Sequence, residues 1–218
     1  MAQSTVAVLG GTGQQGRGIA QRLARAGYPI VVGSRDATRA VAAIDRWRPA
    51  DSITAGSYAD AVAAASVVVI AVPFHTIDGL LAETAPHFAP GVLVVDVTVP
   101  LAFEGGAAML TPVPEGSAAE HVKARLPASV RLAATFKTLP AHLLQSIDAP
   151  LDCDEFVCGD SDAARTDAAA LVSSMNGLRA VDVGPLSRAR SIEHLTLLAI
   201  GINRRHKRHD TRFKIVGL

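Results

Sequence analysis

The sequence has few cysteines and no excess of charge of either sign. Its two cysteines, Cys153 and Cys158, are separated by four residues, a spacing that fits neither a CxxC redox pair nor a four-ligand zinc pattern. We therefore predict two buried apolar thiols. The histidines are scattered and no carboxylate cluster accompanies them, so no metal site is expected. With 21 Lys+Arg against 20 Asp+Glu, the chain provides no field that gathers nucleic acid or anionic membrane. A small molecule is the expected partner.

The sequence also lacks a segment that would direct or anchor it to a membrane. The first ten residues contain no basic stretch followed by an apolar signal core. The longest apolar stretch, residues 61–73, is too short to span a bilayer and ends in β-branched residues typical of a buried parallel strand. We expect a cytoplasmic protein with no membrane partner.

What the sequence does contain is a regular alternation of short apolar runs and helix-like segments. Strands are predicted at residues 5–9, 30–32, 67–72, 92–95 and 130–134, with a short extra strand at 52–54. Helices are predicted at residues 16–26, 36–47, 76–85 and 117–125. This alternation predicts an α/β fold built on a parallel sheet.

The pattern changes after residue 148, where we place a domain boundary between residues 1–148 and 149–218. The second part is predicted to contain strands at 155–158 and 178–183 and helices at 163–175 and 187–203. The last helix is apolar on more than one face, which indicates a subunit interface and hence a homo-oligomer. Residues 104–120 are rich in Gly and Pro without periodicity and are predicted to be a long loop.

A glycine-rich turn follows the first predicted strand in "VAVLGGTGQQG". Gly11, Gly13 and Gly16 form a GxGxxG pattern at the start of a predicted helix, the context that makes this motif specific for a dinucleotide. The first glycine allows the tight turn, the second admits a pyrophosphate, and the third brings helix and strand together. Three polar residues complete the turn: Thr12, Gln14 and Gln15.

The stretch "VVGSRD" lacks the acidic residue that follows the second strand in NAD sites. Ser34 can donate a hydroxyl there, and Arg35 and Arg39 can offer guanidinium groups to a 2′-phosphate. Asp36 is the competing acid if the strand ends one residue beyond Gly33, but we expect it to occupy the start of the next helix. The sequence therefore predicts NADP(H) as cofactor in preference to NAD.

Five segments together resemble the NADPH-dependent coenzyme F420 reductases, also called F420H2:NADP oxidoreductases. They are "VAVLGGTGQQGRGIAQRLARAGYPIVVGSRD", "AVPFHTIDG", "KTLPAH", "VCGD" and "GLRAVDVGPLSRARSIEHLT". The resemblance runs nearly end to end. It implies a Rossmann-type doubly wound sheet for residues 1–148, and a small C-terminal α/β domain, 149–218, that closes a substrate cleft and contributes to oligomerisation.

The same resemblance implies roles for individual residues. Thr12 to Gln15 would hold the pyrophosphate, and Ser34, Arg35 and Arg39 the 2′-phosphate. The nicotinamide side would be bordered by Val72, Thr76 and Thr98. The second substrate, a deazaflavin such as F420 or a flavin, would stack on the nicotinamide and meet Lys137, Leu139, Arg190 and Thr196.

Two positions depart from the family pattern: Lys137 replaces a histidine and His194 replaces a small residue. Hydride transfer between stacked rings requires orientation and no acid–base dyad. A carbonyl or imine substrate would need a proton donor, and Lys137, with His194, is the candidate for that catalytic role. The alternatives for these residues are a surface lysine and a hydrogen-bonded packing histidine.

Three functions thus remain open. The first is an oxidoreductase that moves hydride between NADP(H) and F420 or a flavin. The second is an NADPH-dependent reductase of a small carbonyl or imine compound, and the third is a non-catalytic NADP(H)-binding redox sensor.

Overall fold

The computed structural model describes residues 4–47 and 52–218, and these residues form an α/β fold around one large sheet. Strands in the described part of the chain are β1 (Val6–Leu9), β2 (Ile30–Ser34), β3 (Ile53–Ser57), β4 (Val67–Ile70), β5 (Leu93–Asp96), β6 (Leu101–Glu104), β7 (Ala107–Leu110), β8 (Arg131–Ala134), β9 (Cys153–Gly159) and β10 (Leu178–Pro185). Helices are α1 (Gln14–Arg25), α2 (Ala37–Trp47), α3 (Tyr58–Ala63), α4 (Ile77–Thr84), α5 (Ala118–Lys123), α6 (Ala141–Gln145), α7 (Asp162–Ser173) and α8 (Ala189–His206).

The main sheet has the strand order β10-β9-β8-β5-β4-β1-β2-β3. Its neighbouring strands are parallel except β8 and β9, which are antiparallel. β1 pairs with β2 on one side and with β4 on the other. The chain order reverses at this point, and the crevice at the carboxyl ends of β1 and β4 is where open α/β sheets bind ligands.

The apolar runs are strands covered by helices on both faces. Alternate residues of β1 point to opposite sides: Val6 and Val8 pack with α1 residues such as Leu23, whereas Ala7 and Leu9 pack with α3 and α4. Every residue of β1 is buried. A strand buried on both faces has no polar positions, which explains the continuous apolar run in the sequence. The Rossmann-type α/β prediction is confirmed.

The predicted long loop at residues 104–120 was wrong in its first part. β6 and β7 form an antiparallel hairpin separate from the main sheet. Gly105 (φ 54°) and Gly106 (φ 78°) occupy the two turn positions. Adjacent positive φ angles define the tight hairpin turn for which two glycines are suited. The letters "EGGA" contain the signal for a hairpin turn. The flanking strands were not predicted because they are short and exposed and lack the alternation of apolar and polar residues that is typical of a strand.

Residues 149–218 continue the same main sheet through β9 and β10. Their separation from 1–148 as a domain remains a prediction.

Both cysteines lie on β9 and are buried, as predicted. Burial raises the pKa of Cys153 and of Cys158 to about 12, so both thiols stay protonated and unreactive. Within residues 4–47 and 52–218, no helix combines the length and apolar character needed to cross a membrane.

Candidate active site

The glycine-rich turn joins β1 to α1 with little room for side chains. A Cβ on Gly16 would lie 2.5 Å from the carbonyl oxygen of Gly10, and one on Gly11 would lie 2.9 Å from Val32 Cγ1. The Gly13 N–H donates to Gly10 O at 3.0 Å. Gly13 is also the N-cap of α1 and has no side chain that could cap the helix. The first amides of α1 are therefore available to an anion, which is how a pyrophosphate is held.

α1 is held in place by contacts with α6 and flanking residues that the sequence did not reveal. The Arg22 guanidinium donates to the carbonyls of Leu143, Leu144, Ser146 and Ala149 at 2.7–3.0 Å. A Cβ on Gly18 would be 2.4 Å from Leu144 Cβ. Gln15 Nε2 donates to Phe136 O at 3.0 Å and to Leu139 O at 3.3 Å. The Gln15 side chain thus joins the turn to residues 136 and 139 and holds it in place.

The arginine pocket lies at the carboxyl end of β2 and is lined by Thr12, Ser34, Arg35, Asp36 and Arg39, with a volume of about 550 Å³. β2 ends at Ser34, two residues beyond the predicted strand at 30–32 and one beyond Gly33. Asp36 nevertheless lies directly before α2, and its Oδ1 accepts the Arg39 N–H in the first turn of that helix at 3.0 Å. Its Oδ2 lies 3.1 Å from Arg39 Nε. The pocket thus brings together the predicted 2′-phosphate residues and the competing acid.

A second concavity, the ring cleft, opens beside the glycine-rich turn and has a volume of about 440 Å³. Gln14 and Gln15 of the turn line it. Val72 and Thr98, which follow β4 and β5, also line it, as do Leu139 and, on α8, Thr196. Thr76 does not line the cleft; its hydroxyl donates to Pro73 O at 2.8 Å in the turn before α4.

Lys137 lies at the base of this cleft, just beyond β8. Its side chain is 0% exposed, and Nζ lies 2.6 Å from Asp96 Oδ2 and 3.4 Å from Glu193 Oε1. The surface-lysine alternative is therefore wrong. Asp96 also caps the turn after β5, because its Oδ1 accepts the N–H and hydroxyl of Thr98 at 3.0 and 2.7 Å. Sequence alone did not indicate that Asp96 also neutralises Lys137.

Arg190 and His194 face a different groove of about 260 Å³, with Pro100, Leu110 and Glu193. Both side chains are exposed, and His194 Nδ1 lies 2.7 Å from Arg190 O. The structure does not bring either residue to the ring cleft, so the predicted catalytic pair, Lys137 and His194, is not assembled in one site.

Comparison with known proteins agrees with this geometry. Residues 5–100 match the family model described as NADP oxidoreductase, coenzyme F420-dependent. The F420-dependent NADP reductase of Methanothermobacter thermautotrophicus is 37% identical over 221 residues, which cover 98% of this chain and 95% of the relative. That of Methanocaldococcus jannaschii is 33% identical over 223 residues, covering 98% of each chain. The chain belongs to the F420-dependent NADP reductase family.

A solved structure extends the similarity to three dimensions. A protein from Arthrobacter sp. FB24, provisionally assigned as an F420-dependent NADP reductase, has a TM-score of 0.85 and 28% identity, and the match covers 98% of this chain and 100% of that one. The predicted family resemblance is confirmed.

In this family member, the outer part of the ring cleft contains residues that were not predicted from the sequence. They are Phe74, His142, Ile200, Asn203, His209 and Thr211. The ring centroids of His142 and His209 are 6.5 Å apart. His209 and Thr211 follow α8, and the Asn203 side chain accepts the Thr211 N–H at 3.1 Å. The sequence indicated these residues only through their closeness in the chain to residues that were predicted. Their contacts join segments that are distant in sequence, and such contacts leave no local pattern.

A third buried carboxyl, Glu155 on β9, lies below Lys137 and Thr138. It accepts the Lys137 N–H at 3.0 Å and the Thr138 hydroxyl at 2.7 Å. Burial raises the pKa of Glu155 to about 7, and the hydrogen bonds from Thr138 and Lys137 oppose that rise. Burial also raises the pKa of Glu193, against the effect of the Lys137 charge. The base of the cleft is therefore a buried polar network.

Proposed function

We propose that the chain transfers hydride between NADP(H) and F420 stacked together in the ring cleft. The observation that carries this proposal is the continuity of the site: the glycine-rich turn that would hold a pyrophosphate also lines the cleft, through Gln14 and Gln15. A dinucleotide bound along the sheet edge would place its nicotinamide between Val72 and Thr98. Leu139, Thr196 and Ile200 would then cover the second ring.

The roles of this chain's residues are binding and orientation. The amides from Thr12 to Gln15 would hold the pyrophosphate, and Ser34, Arg35 and Arg39 the 2′-phosphate. When bound, NADP(H) and the deazaflavin would supply the hydride donor and acceptor. The apolar walls at Val72 and Leu139 would exclude water and keep the rings parallel, so that proximity and orientation provide the rate enhancement.

The geometry gives less support to a carbonyl or imine reductase. That reaction would need a proton donor facing the substrate, whereas the Lys137 side chain is 0% exposed and engaged by carboxylates. Arg190 and His194 would have to act from the neighbouring groove. We keep them as candidates for contacts with parts of the second substrate that extend beyond the ring cleft.

The experiment that tests the function follows NADPH oxidation with F420, FMN or FAD as acceptor. Oxidation with F420 that depends on the enzyme supports the proposal, and NADH in place of NADPH is the matched control for the arginine pocket. Oxidation with FMN or FAD but not with F420 would show that the second substrate is a flavin. Binding of NADPH with no turnover of any acceptor would favour the redox sensor.

We further propose that the protein is a cytoplasmic homo-oligomer with two domains. Residues 149–218 would close the cleft, since Thr196, Asn203 and His209 come from this part. The hairpin groove, between the β6–β7 hairpin and α8, is about 740 Å³ and includes Phe103 and Leu198, which are 67% and 52% exposed. A second copy covering this groove would bury both side chains. Light scattering of the wild type and of Phe103→Ser tests the oligomer, and cell fractionation tests the location.

A further inference from the structure

The base of the ring cleft holds an ammonium group that the stacking reaction does not use. Lys137 Nζ donates to Asp96 Oδ2 at 2.6 Å, to the carbonyl of Thr98, and to Glu193 Oε1 at 3.4 Å. The side chains of Lys137 and Asp96 are 0% exposed and that of Glu193 is 2% exposed. An ammonium has three N–H donors, and each one has an acceptor here.

The main chain of Lys137 is bonded to further elements around the cleft. Its carbonyl accepts the Thr196 hydroxyl of α8 at 3.0 Å, and its N–H donates to Glu155 on β9. Thr98, which follows β5, and Thr196, on α8, both line the ring cleft. Lys137 is therefore hydrogen-bonded to two residues that line the cleft from different elements, to Thr98 through Nζ and to Thr196 through its carbonyl.

The buried carboxylates around Lys137 also depend on its positive charge for compensation. Asp96 and Glu193 are both within ion-pair distance of Nζ. Glu193 also accepts the Ala118 N–H at 3.1 Å, which ties α5 to the same centre. Removing the ammonium would leave two carboxylates buried without their cation, and an uncompensated buried charge forces neighbouring groups to rearrange.

A proton-donor role fits this environment poorly. Burial by itself lowers the pKa of Lys137, but the Asp96 and Glu193 carboxylates outweigh burial and raise the pKa above its ordinary value. An ammonium enclosed on all sides has no open path to a substrate atom. The contacts are instead those of a residue that fixes the positions of Thr98 and Thr196.

We propose that Lys137 is a positioning residue for hydride transfer, holding Thr98 and Thr196 at the separation that two stacked rings require. This proposal rests on the proposed function. Hydride transfer is sensitive to such a role, because a misplacement of about 1 Å can cost about 100-fold in rate.

The test compares Lys137→Met with Lys123→Met. Lys123 is a matched control because its Nζ also lies 2.6 Å from a carboxylate, that of Asp160, but it is 34% exposed and does not line the ring cleft. We expect Lys137→Met to slow single-turnover hydride transfer from NADPH to F420 by about 10- to 100-fold while the Kd for NADPH changes by less than about threefold. Lys123→Met should leave both unchanged.

A second variant separates positioning from proton donation. In Lys137→Met combined with Asp96→Asn, one of the two uncompensated carboxylates is replaced by a neutral amide, so that only Glu193 is left without its cation, and at least about fivefold of the lost rate should return. An acid cannot be replaced in this way. If Lys137→Met does not fold, the double variant alone decides: a rate within about tenfold of the wild type supports positioning, and a folded variant that binds NADPH without transfer overturns it.

The remaining outcomes are also decisive. An unchanged rate in Lys137→Met overturns the proposal, as does a lost rate that the double variant does not restore. If the wild type does not reduce F420, the proposed function fails separately. Positioning is then tested by the fluorescence anisotropy of bound NADPH, which should fall in Lys137→Met and recover in the double variant; an unchanged anisotropy would refute it.

Discussion

Replacement of Arg35 and Arg39 by alanine tests the cofactor assignment most quantitatively. Both arginines are exposed at the arginine pocket, and the Arg39 side chain is 87% exposed, with Asp36 Oδ2 3.1 Å from its Nε. A hydrogen bond to a charged group contributes about 1.5–3 kcal/mol when well sheltered. Solvent screening and the Asp36 charge reduce that value here, and we assign about 1 to 1.5 kcal/mol to each arginine.

Together these contributions, about 2 to 3 kcal/mol, correspond to about 30- to 150-fold in Kd for NADPH. NADH lacks the 2′-phosphate, so its Kd should change by less than about twofold. Fluorescence titration of both dinucleotides at low and at moderate salt measures the effect. Salt should weaken NADPH binding in the wild type more than in the double variant, because exposed charges are screened.

Arg46→Ala is the matched control, since Arg46 is an exposed arginine on the same helix, α2, whose Nε donates to Ala42 O. It should not alter either Kd. Equal weakening of NADPH and NADH in the double variant would show that the arginines support the fold or the adenosine, and would refute the assignment of a 2′-phosphate site. Unchanged NADPH binding would refute it as well.

Three further predictions follow from the same geometry. Asp36→Asn retains an acceptor for the Arg39 N–H and removes the carboxylate beside its guanidinium, so NADPH should bind about 3- to 10-fold more tightly by titration; weaker binding would mean that Asp36 contacts the ribose. Gly16→Ala places a Cβ 2.5 Å from Gly10 O and should weaken both dinucleotides by more than about 30-fold, whereas Gly79→Ala, with no atom within 4 Å of its Cβ, should bind normally; normal binding by both would contradict the tight turn. The Glu155 carboxyl, with its pKa near 7 in the fold and about 4.3 when unfolded, keeps its proton in the native state where the unfolded chain releases it. Its contribution to the free energy of unfolding is thus fully present below the unfolded pKa and is lost as the pH rises through 7. Urea unfolding should show that the free energy of unfolding of the wild type falls by about 2–3 kcal/mol relative to that of Glu155→Gln between pH 5 and pH 8. A difference between the two proteins that stays constant with pH would contradict the buried carboxyl.

The sequence predicted the parts of the site that depend on local pattern. The run "VAVLGGTGQQG" contains the strand, the turn and the helix start within a few residues, and each follows from spacing and glycine chemistry. Ser34, Arg35 and Arg39 could be placed because they follow the next strand. The role of Gly18 did not follow from local pattern: its lack of a side chain is what allows α6 to pack against α1 at Leu144.

The contacts at the base and rim of the ring cleft could not be predicted in the same way. Lys137 pairs with Asp96, 41 residues away, and with Glu193, 56 residues away. Such a pair leaves no periodicity in the sequence, and its burial depends on how β5, β8 and α8 converge. His142 and His209 approach each other for similar reasons. Long-range packing decides the environment of a polar side chain, and local propensity does not contain that information.

The most direct measurement of the central claim is isotope transfer. NADPH labelled with deuterium at nicotinamide C4 would be incubated with F420 and the protein, and the reduced deazaflavin examined by mass spectrometry. Stacked rings predict that the label moves directly to the deazaflavin without exchange with solvent. Reduced F420 that carries solvent hydrogen, or F420 that stays oxidised while NADPH is bound, would contradict the account.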